Sequence, residues 1–276
     1  MEDYHAWRLD KANLKAGPIS SSMLKDFAIN PYAWRWGKER ETTSAMRTGS
    51  LFDLALTDAD KLESCVVEKQ FDNYKTKAAR EWRDEVEAQG LLIVTNAELD
   101  KAKESARRVL EHEVAGAIMD GASCQVGVVG EIADIPAKCL VDIEPSADGE
   151  WCEHLFDYKT TSNGLDDESI RKSIGQWRYH WQAAFYRTLK NKVDTERHCE
   201  NFGFIFQDTE TLEVRVVILN RDDLGLGNRC VGAALKEFAR CSHQGIKSSY
   251  RKRVSEVGLM PYHAMSEEDW IIAQES

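Results

Sequence analysis

Three residues stand out for what they could do together. Asp142 sits in the run Leu140-Val141-Asp142-Ile143-Glu144, and Asp157 and Lys159 sit in Phe156-Asp157-Tyr158-Lys159-Thr160. Side chains alternate across a β-strand, so Asp157 and Lys159 project from one face and Tyr158 from the other. If Asp148-Gly149 turned a two-residue hairpin, Asp142 would lie across from Leu155. Asp157 would then be its diagonal neighbour, at roughly 7–8 Å. Two carboxylates at that separation can share a hard cation that takes oxygen ligands and keeps its waters, which describes Mg²⁺. Such an ion lowers the pKa of a bound water and neutralises charge on a phosphoryl group under attack. Lys159 could orient or deprotonate that water. A lone Asp-x-Lys on a strand is ordinarily a solvated charge pair. The apolar alternate positions of this strand, and the aspartate one hairpin upstream, argue for more.

The elements that must position these residues follow from periodicity and punctuation. Ser20, Ser21 and Ser22 are candidate N-caps for an apolar stretch through Met23, Leu24 and Phe27 that ends at Asn30-Pro31. Helices are predicted over Ser44 to Leu56, Lys75 to Ala88 and Asn96 to Val114, so about the first 120 residues are mostly helical. Strands follow over Cys124 to Ala133 and Ala137 to Glu144, meeting in a turn at Asp134-Ile135-Pro136, and over Trp151 to Lys159. One long helix is predicted from Asp166 to Lys190. Strands over Asn201 to Gln207 and Leu212 to Leu219 then flank Asp208-Thr209-Glu210, and a helix runs from Asp223 to Cys241. This order predicts an α/β fold with a central mixed sheet flanked by helices. It reads as one domain over 1–276: a helical N-terminal part to about 120, a sheet-bearing core from about 121 to 245, and a tail from 246.

Bulk composition narrows the classes. The chain has 276 residues, 42% hydrophobic and 30% charged, as in ordinary globular proteins. No apolar run is long enough for a membrane helix. The opening Met1-Glu2-Asp3-Tyr4-His5 lacks the basic-then-apolar order of a signal peptide, so the expected location is cytoplasmic. The seven cysteines (65, 124, 139, 152, 199, 230, 241) form no Cys-x-x-Cys pair and read as free thiols rather than zinc or iron–sulfur ligands. The net charge of −11 argues against broad contact with phosphate backbones, which depends on Lys and Arg. Local basic patches on an acidic protein can still meet DNA.

Taken together, Asp142, then Asp157-Tyr158-Lys159, then Gln182-Ala-Ala-Phe-Tyr186 resemble the PD-(D/E)XK nuclease superfamily in its RecB-like branch. Gly49-Ser-Leu-Phe-Asp53 is similar to that branch's Gly-x-x-x-His or Gly-x-x-x-Glu helix motif. Ile19-Ser-Ser-Ser22-Met-Leu-Lys resembles the opening of phage recombination exonucleases of the RecE (exonuclease VIII) type and, more distantly, lambda exonuclease. The resemblance implies a restriction-endonuclease-like core in which Asp142 and Asp157 hold metal, the Tyr158 backbone carbonyl adds a ligand and Lys159 is the catalytic lysine. Asp53 would complete the shell with a shorter side chain than its counterparts carry. Val141 replaces the proline that names the superfamily, and Glu131 would be an auxiliary acid.

Gln182 and Tyr186, four apart, share a helix face. The resemblance turns that face toward the site; helix-to-sheet packing beside Trp177, Trp181 and Phe185 is the plain alternative. Ser20 and Ser22, with Arg35, Lys38 or Arg47, match a region that holds a 5′-phosphate in relatives, although an ordinary serine N-cap fits equally well. Lys75, Lys77, Arg80 and Arg83 around Trp82 could track a DNA backbone but suit a solvated helix face better. The tail, with Lys247, Arg251, Lys252 and Arg253, gives no clear pattern.

The function implied is an Mg²⁺-dependent (Mn²⁺-tolerant) 5′-to-3′ exonuclease. It would act on ends of double-stranded DNA, leaving 3′ overhangs for recombination beside a RecT-like single-strand annealing protein. Relatives of this kind form closed homo-oligomeric rings, in which only the inner wall need be basic. Two alternatives stay open. One is another nuclease of the superfamily, an endonuclease or a Cas4-like enzyme, the latter disfavoured by the cysteine spacing. The other is a catalytically inactive DNA-binding assembly subunit.

Overall fold

The computed structural model describes residues 7–38, 43–248, 254 and 256–275. A two-residue strand β1 (Ile19–Ser20) leads into α1 (Ser21–Ile29), whose first turn is capped by the Ser20 hydroxyl accepting from the Met23 N–H. Asn30 ends α1 and caps α2 (Pro31–Trp36). Thr43 caps α3 (Ser44–Thr57), and α4 (Ala59–Cys65) follows. Short strands β2 (Val66–Glu68) and β3 (Leu92–Val94) pair parallel on either side of α5 (Lys77–Ala88). Thr95 and Glu98 form a reciprocal capping box at the start of α6 (Asn96–Glu111). The expected helix to Val114 stops there, because the His112 ring caps a separate helix, α7 (Glu113–Met119).

The core strands follow. β4 (Ser123–Ile132) and β5 (Ile135–Glu144) form a hairpin closed by the Ile132–Ile135 pair. Its turn is Ala133-Asp134, not the expected Asp134-Ile135-Pro136. Both turn residues have positive φ (51° and 60°), as a two-residue loop between twisted strands requires. β6 (His154–Thr161) starts three residues later than expected, since 145–153 is irregular. The predicted helix from Asp166 to Lys190 is two: α8 (Asp167–Gln176) and α9 (Tyr179–Val193). They break at Arg178, which is left-handed at φ 52°. β7 (Asn201–Asp208), β8 (Val214–Ile218) and α10 (Arg221–Gln244) complete the core, and α11 (Pro261–Glu275) forms the tail.

The six-stranded mixed sheet carries β4 along one side of β5. On the other side, β1 pairs parallel with the start of β5 and β6 antiparallel with its end. β6 and β7 run parallel, joined through α8 and α9, as a parallel pair demands. β8 closes the edge antiparallel to β7. One face packs Val141, Leu155, Phe202, Phe204 and Phe206 against α1, α9 and α10. The other packs Ile143, Phe156, Tyr158 and Ile205 against α3, α6 and α7. This is the mixed α/β sandwich expected from the sequence.

Candidate active site

The site forms where β5 and β6 meet. Their registered pair is Ile143 with Phe156, so the next positions along, Asp142 and Asp157, face each other. The expected hairpin placed Asp142 across from Leu155. The real connection is longer and shifts the register by two. The aspartates are thus direct rather than diagonal neighbours. Asp142 Oδ2 accepts the Tyr158 backbone N–H at 3.1 Å.

Asp157 is buried, 1% exposed. Gln182 of α9 donates to its Oδ1 at 2.5 Å, and Lys159 forms an ion pair with its Oδ2. Burial works against the Lys159 ammonium, but Asp157 and Asp142 outweigh it and raise its pKa above the ordinary lysine range. The Tyr179 ring lies over that ammonium, 5.0 Å from its centroid. Burial, then the nearness of Asp157, raises the Asp142 carboxyl well above its usual range.

Asp53 enters from α3. Gly49, one turn earlier, lets that helix approach β6: a Cβ there would stand 3.0 Å from Thr160 Oγ1. The Asp53 carboxylate accepts from Gln125 Nε2 at 3.4 and 3.2 Å. Burial first, and Asp157 second, push its pKa up to about 6. Three carboxylates therefore lie close together, and burial first, with mutual repulsion second, makes two of them hold their protons more tightly than usual. Asp53, Asp142, Tyr158 and Lys159 line a cleft of about 1060 Å³.

The donor set is all oxygen: Asp142, Asp157, Asp53 and, as a candidate, the Tyr158 carbonyl. Among the described residues no three His, Cys, Asp or Glu side chains close into a metal cage. A cation that keeps several waters and takes one or two carboxylates does not need one. Crowded carboxylates with raised pKa values fit such a cation, and its charge would reverse those shifts.

Other expected residues lie elsewhere. Glu131 is exposed and pairs with Pro136 near the hairpin tip. It lies six strand positions, roughly 20 Å, from Gln125, so it is no auxiliary acid here. The β4 position opposite Asp142 belongs to Gln125, whose φ of 52° breaks the ladder. Tyr186 packs edge-on against Phe202, two strand positions from Phe204, which pairs with Asp157. Tyr179 is the tyrosine over the lysine. The Tyr158 side chain points to the opposite face, bonded to Ser105 (3.2 Å) and to Gln207.

Ser20 and Ser22 bond each other at 3.0 Å while Ser20 caps α1. Arg47 is exposed and lines the cleft with Lys69 and Lys101. Arg35 donates to the Lys11 carbonyl and stacks on Trp36, and Lys38 is exposed. In the patch around Trp82, Lys77 and Arg83 pair with acidic neighbours on their own helix, which makes it largely a solvated face. Lys247 is exposed; Arg251, Lys252 and Arg253 lie outside the described residues.

Sequence reasoning missed Gln125 and Lys25. Lys25, on α1, donates to the Trp177 carbonyl at 3.2 Å. Burial, then the proximity of Lys159, lowers its pKa to about 8. Lys25 closes the stretch from Ile19 singled out for its serines, yet as a helical lysine it carried no signal.

Residues 20–251 match the family described as PDDEXK-like domain of unknown function (DUF3799). The chain belongs to that family. With Asp142 beside Asp157-x-Lys159, it is a member of the PD-(D/E)XK nuclease superfamily. A protein of Eubacterium rectale provisionally named an exonuclease shares its fold at 16% identity, with a TM-score of 0.61 over 96% of this chain and 97% of that one. An alkaline exonuclease of Laribacter hongkongensis aligns over 88% of this chain and 95% of its own at 12% identity and a TM-score of 0.34, too loosely to carry an argument. No curated protein matches the chain. No described helix is long and apolar enough to cross a membrane.

Proposed function

We propose that the chain is an Mg²⁺-dependent exonuclease that hydrolyses linear double-stranded DNA from 5′ ends and leaves 3′ overhangs for recombination. The observation that supports this reading is the meeting of Asp142, Asp53 and Lys159 in one open cleft, with Asp157 buried beside them and ion-paired to Lys159. Asp142 and Asp157, with Asp53 and the Tyr158 carbonyl, would hold the cation. When bound, it supplies charge neutralisation at the scissile phosphate and a more acidic water.

Gln182 fixes the Asp157 carboxylate through its 2.5 Å hydrogen bond, and Gln125 fixes Asp53. Lys159, ion-paired with Asp157, is placed to orient or deprotonate a water beside the cation. Arg47, Lys69 and Lys101 line the cleft together with Glu98 and Glu210, in a chain whose net charge is −11.

Mn²⁺ would substitute for Mg²⁺. A closed homo-oligomeric ring, a RecT-like annealing partner and a cytoplasmic site of action belong to the same proposal. The test is digestion of linear duplex labelled at one end, with Mg²⁺ and with or without a 5′-phosphate. Stepwise release from the 5′ end supports the reading. Cutting of closed circular DNA favours an endonuclease, and no cutting with DNA still bound favours an inactive binding subunit.

A further inference from the structure

Trp177 occupies an unusual place. It sits at the joint where α8 stops and α9 begins, and it lines the same cleft as Asp142 and Lys159. Its side chain is large and apolar, yet the residue is 52% exposed. Among the described exposed large apolar residues, only Met46 and Trp177 line the cleft. Met46 belongs to α3, beside Arg47, so the two do not come from one element.

The joint is built to hold Trp177 in place. The Trp177 N–H donates to the Ser173 carbonyl at 3.0 Å, and the Arg178 N–H to the Gly175 carbonyl at 3.2 Å. Lys25 reaches across from α1 to the Trp177 carbonyl at 3.2 Å. Arg178 takes a left-handed φ of 52°, a conformation costly for a residue with a Cβ and commonly kept where the surroundings use it. Its guanidinium lies over Trp181, 4.9 Å from the ring centroid. Tyr179, next along the chain, covers the Lys159 ammonium. A continuous helix would not need this break. Its result is a half-exposed indole on the wall of the cleft that Lys159 also lines, its backbone held at both N–H and carbonyl.

We infer that Trp177 is the platform on which an unpaired nucleobase of the substrate strand stacks while the adjoining phosphate lies at Lys159. This rests on the nuclease reading above. An indole offers a flat face to any base. Arg47, Lys69 and Lys101 along the cleft supply cations for neighbouring phosphates. Stacking of this kind is tolerant of sequence and requires the base to leave its pair, so the strand enters the cleft locally single.

The experiment uses the full chain in EDTA, to stop cutting, and a DNA end carrying 2-aminopurine at its terminal nucleotide. Stacking on an indole quenches 2-aminopurine. Strong quenching on binding is expected, largely lost in Trp177→Ala and partly kept in Trp177→Phe. Affinity should fall on the order of tenfold for the alanine variant. Circular dichroism checks that each variant folds, and an exposed position tolerates the change. Equal quenching and affinity in the alanine variant overturn the platform and leave the nuclease reading intact if the parent chain digests linear duplex. A parent chain that neither digests nor binds DNA overturns both.

Discussion

The crowding of carboxylates predicts an opposition between stability and activity that Asp53→Asn exposes. In the metal-free chain, burial and the neighbouring Asp157 raise the Asp53 pKa from 3.8 to about 6. A group that binds its proton more tightly folded than unfolded weakens the fold as pH rises through that window. Below pH ~4 both states are protonated and the penalty vanishes; above pH ~6 it is fully present. Two pKa units correspond to about 3 kcal/mol. Coupling to Asp157 and loss of one acceptor for Gln125 reduce the net gain from the neutral amide to about 1–2 kcal/mol. For a chain of this size that raises the melting temperature by roughly 2–8 °C.

The assay is thermal melting of parent and variant in EDTA at pH 4.5 and 8, with DNA digestion measured in parallel. The variant should melt higher than the parent at pH 8 and show a smaller gain at pH 4.5. With one metal ligand weakened, it should digest linear duplex on the order of tenfold more slowly. Mg²⁺ should raise the parent's melting temperature more than the variant's. A variant that melts lower than the parent at pH 8, or a gain independent of pH, would overturn the view that burial and the neighbouring Asp157 raise the Asp53 pKa in the metal-free chain.

Three further outcomes follow from the same contacts. Lys159→Met should abolish cutting, spare DNA binding, and cost about 3–5 kcal/mol in EDTA by leaving the buried Asp157 unpaired, as a urea titration would show. Gln182→Leu removes the hydrogen bond to Asp157; a loss of about 1.5–3 kcal/mol in the same titration is expected, with slower digestion at saturating Mg²⁺. Tyr158→Phe removes the hydroxyl that bonds Ser105 and Gln207 on the opposite face; stability should fall by about 1–2 kcal/mol while the digestion rate stays within about twofold.

The nearness of Asp142 to Asp157 and Lys159 was legible because Asp157 and Lys159 share one face of β6 and β5 pairs with that strand at the next position. A hairpin longer by two residues still brought Asp142 opposite Asp157, so the wrong turn cost nothing. Asp53 was legible through spacing, and Gly49 has its physical reason in the approach of α3 to Thr160. Glu131 misled because an acidic residue on the neighbouring strand looks close in sequence, whereas distance along a hairpin grows with every residue from the register partner.

Gln125 carried no signal because its role depends on a positive φ that a glutamine rarely adopts. The break at Trp177-Arg178 lacks Gly or Pro at the joint itself and is enforced by contacts from α1, so periodicity ran straight through it. Tyr179 and Tyr186 flank Gln182 by three and four residues, both on its helical face, and only the position of β6 beneath decides which reaches Lys159. The short strands β1, β2 and β3 are made by pairing with distant partners, which two or three residues cannot announce.

Every role assigned to the cleft depends on Asp142 and Asp157 holding a divalent cation. Titration of the chain with Mn²⁺, followed by electron paramagnetic resonance, reads that binding without any need for DNA. Saturable uptake at one or two sites per chain is expected, displaced by Mg²⁺ and lost in Asp142→Asn. Uptake unchanged in that variant, or no uptake by the intact chain, would remove the metal from the site and the nuclease chemistry with it.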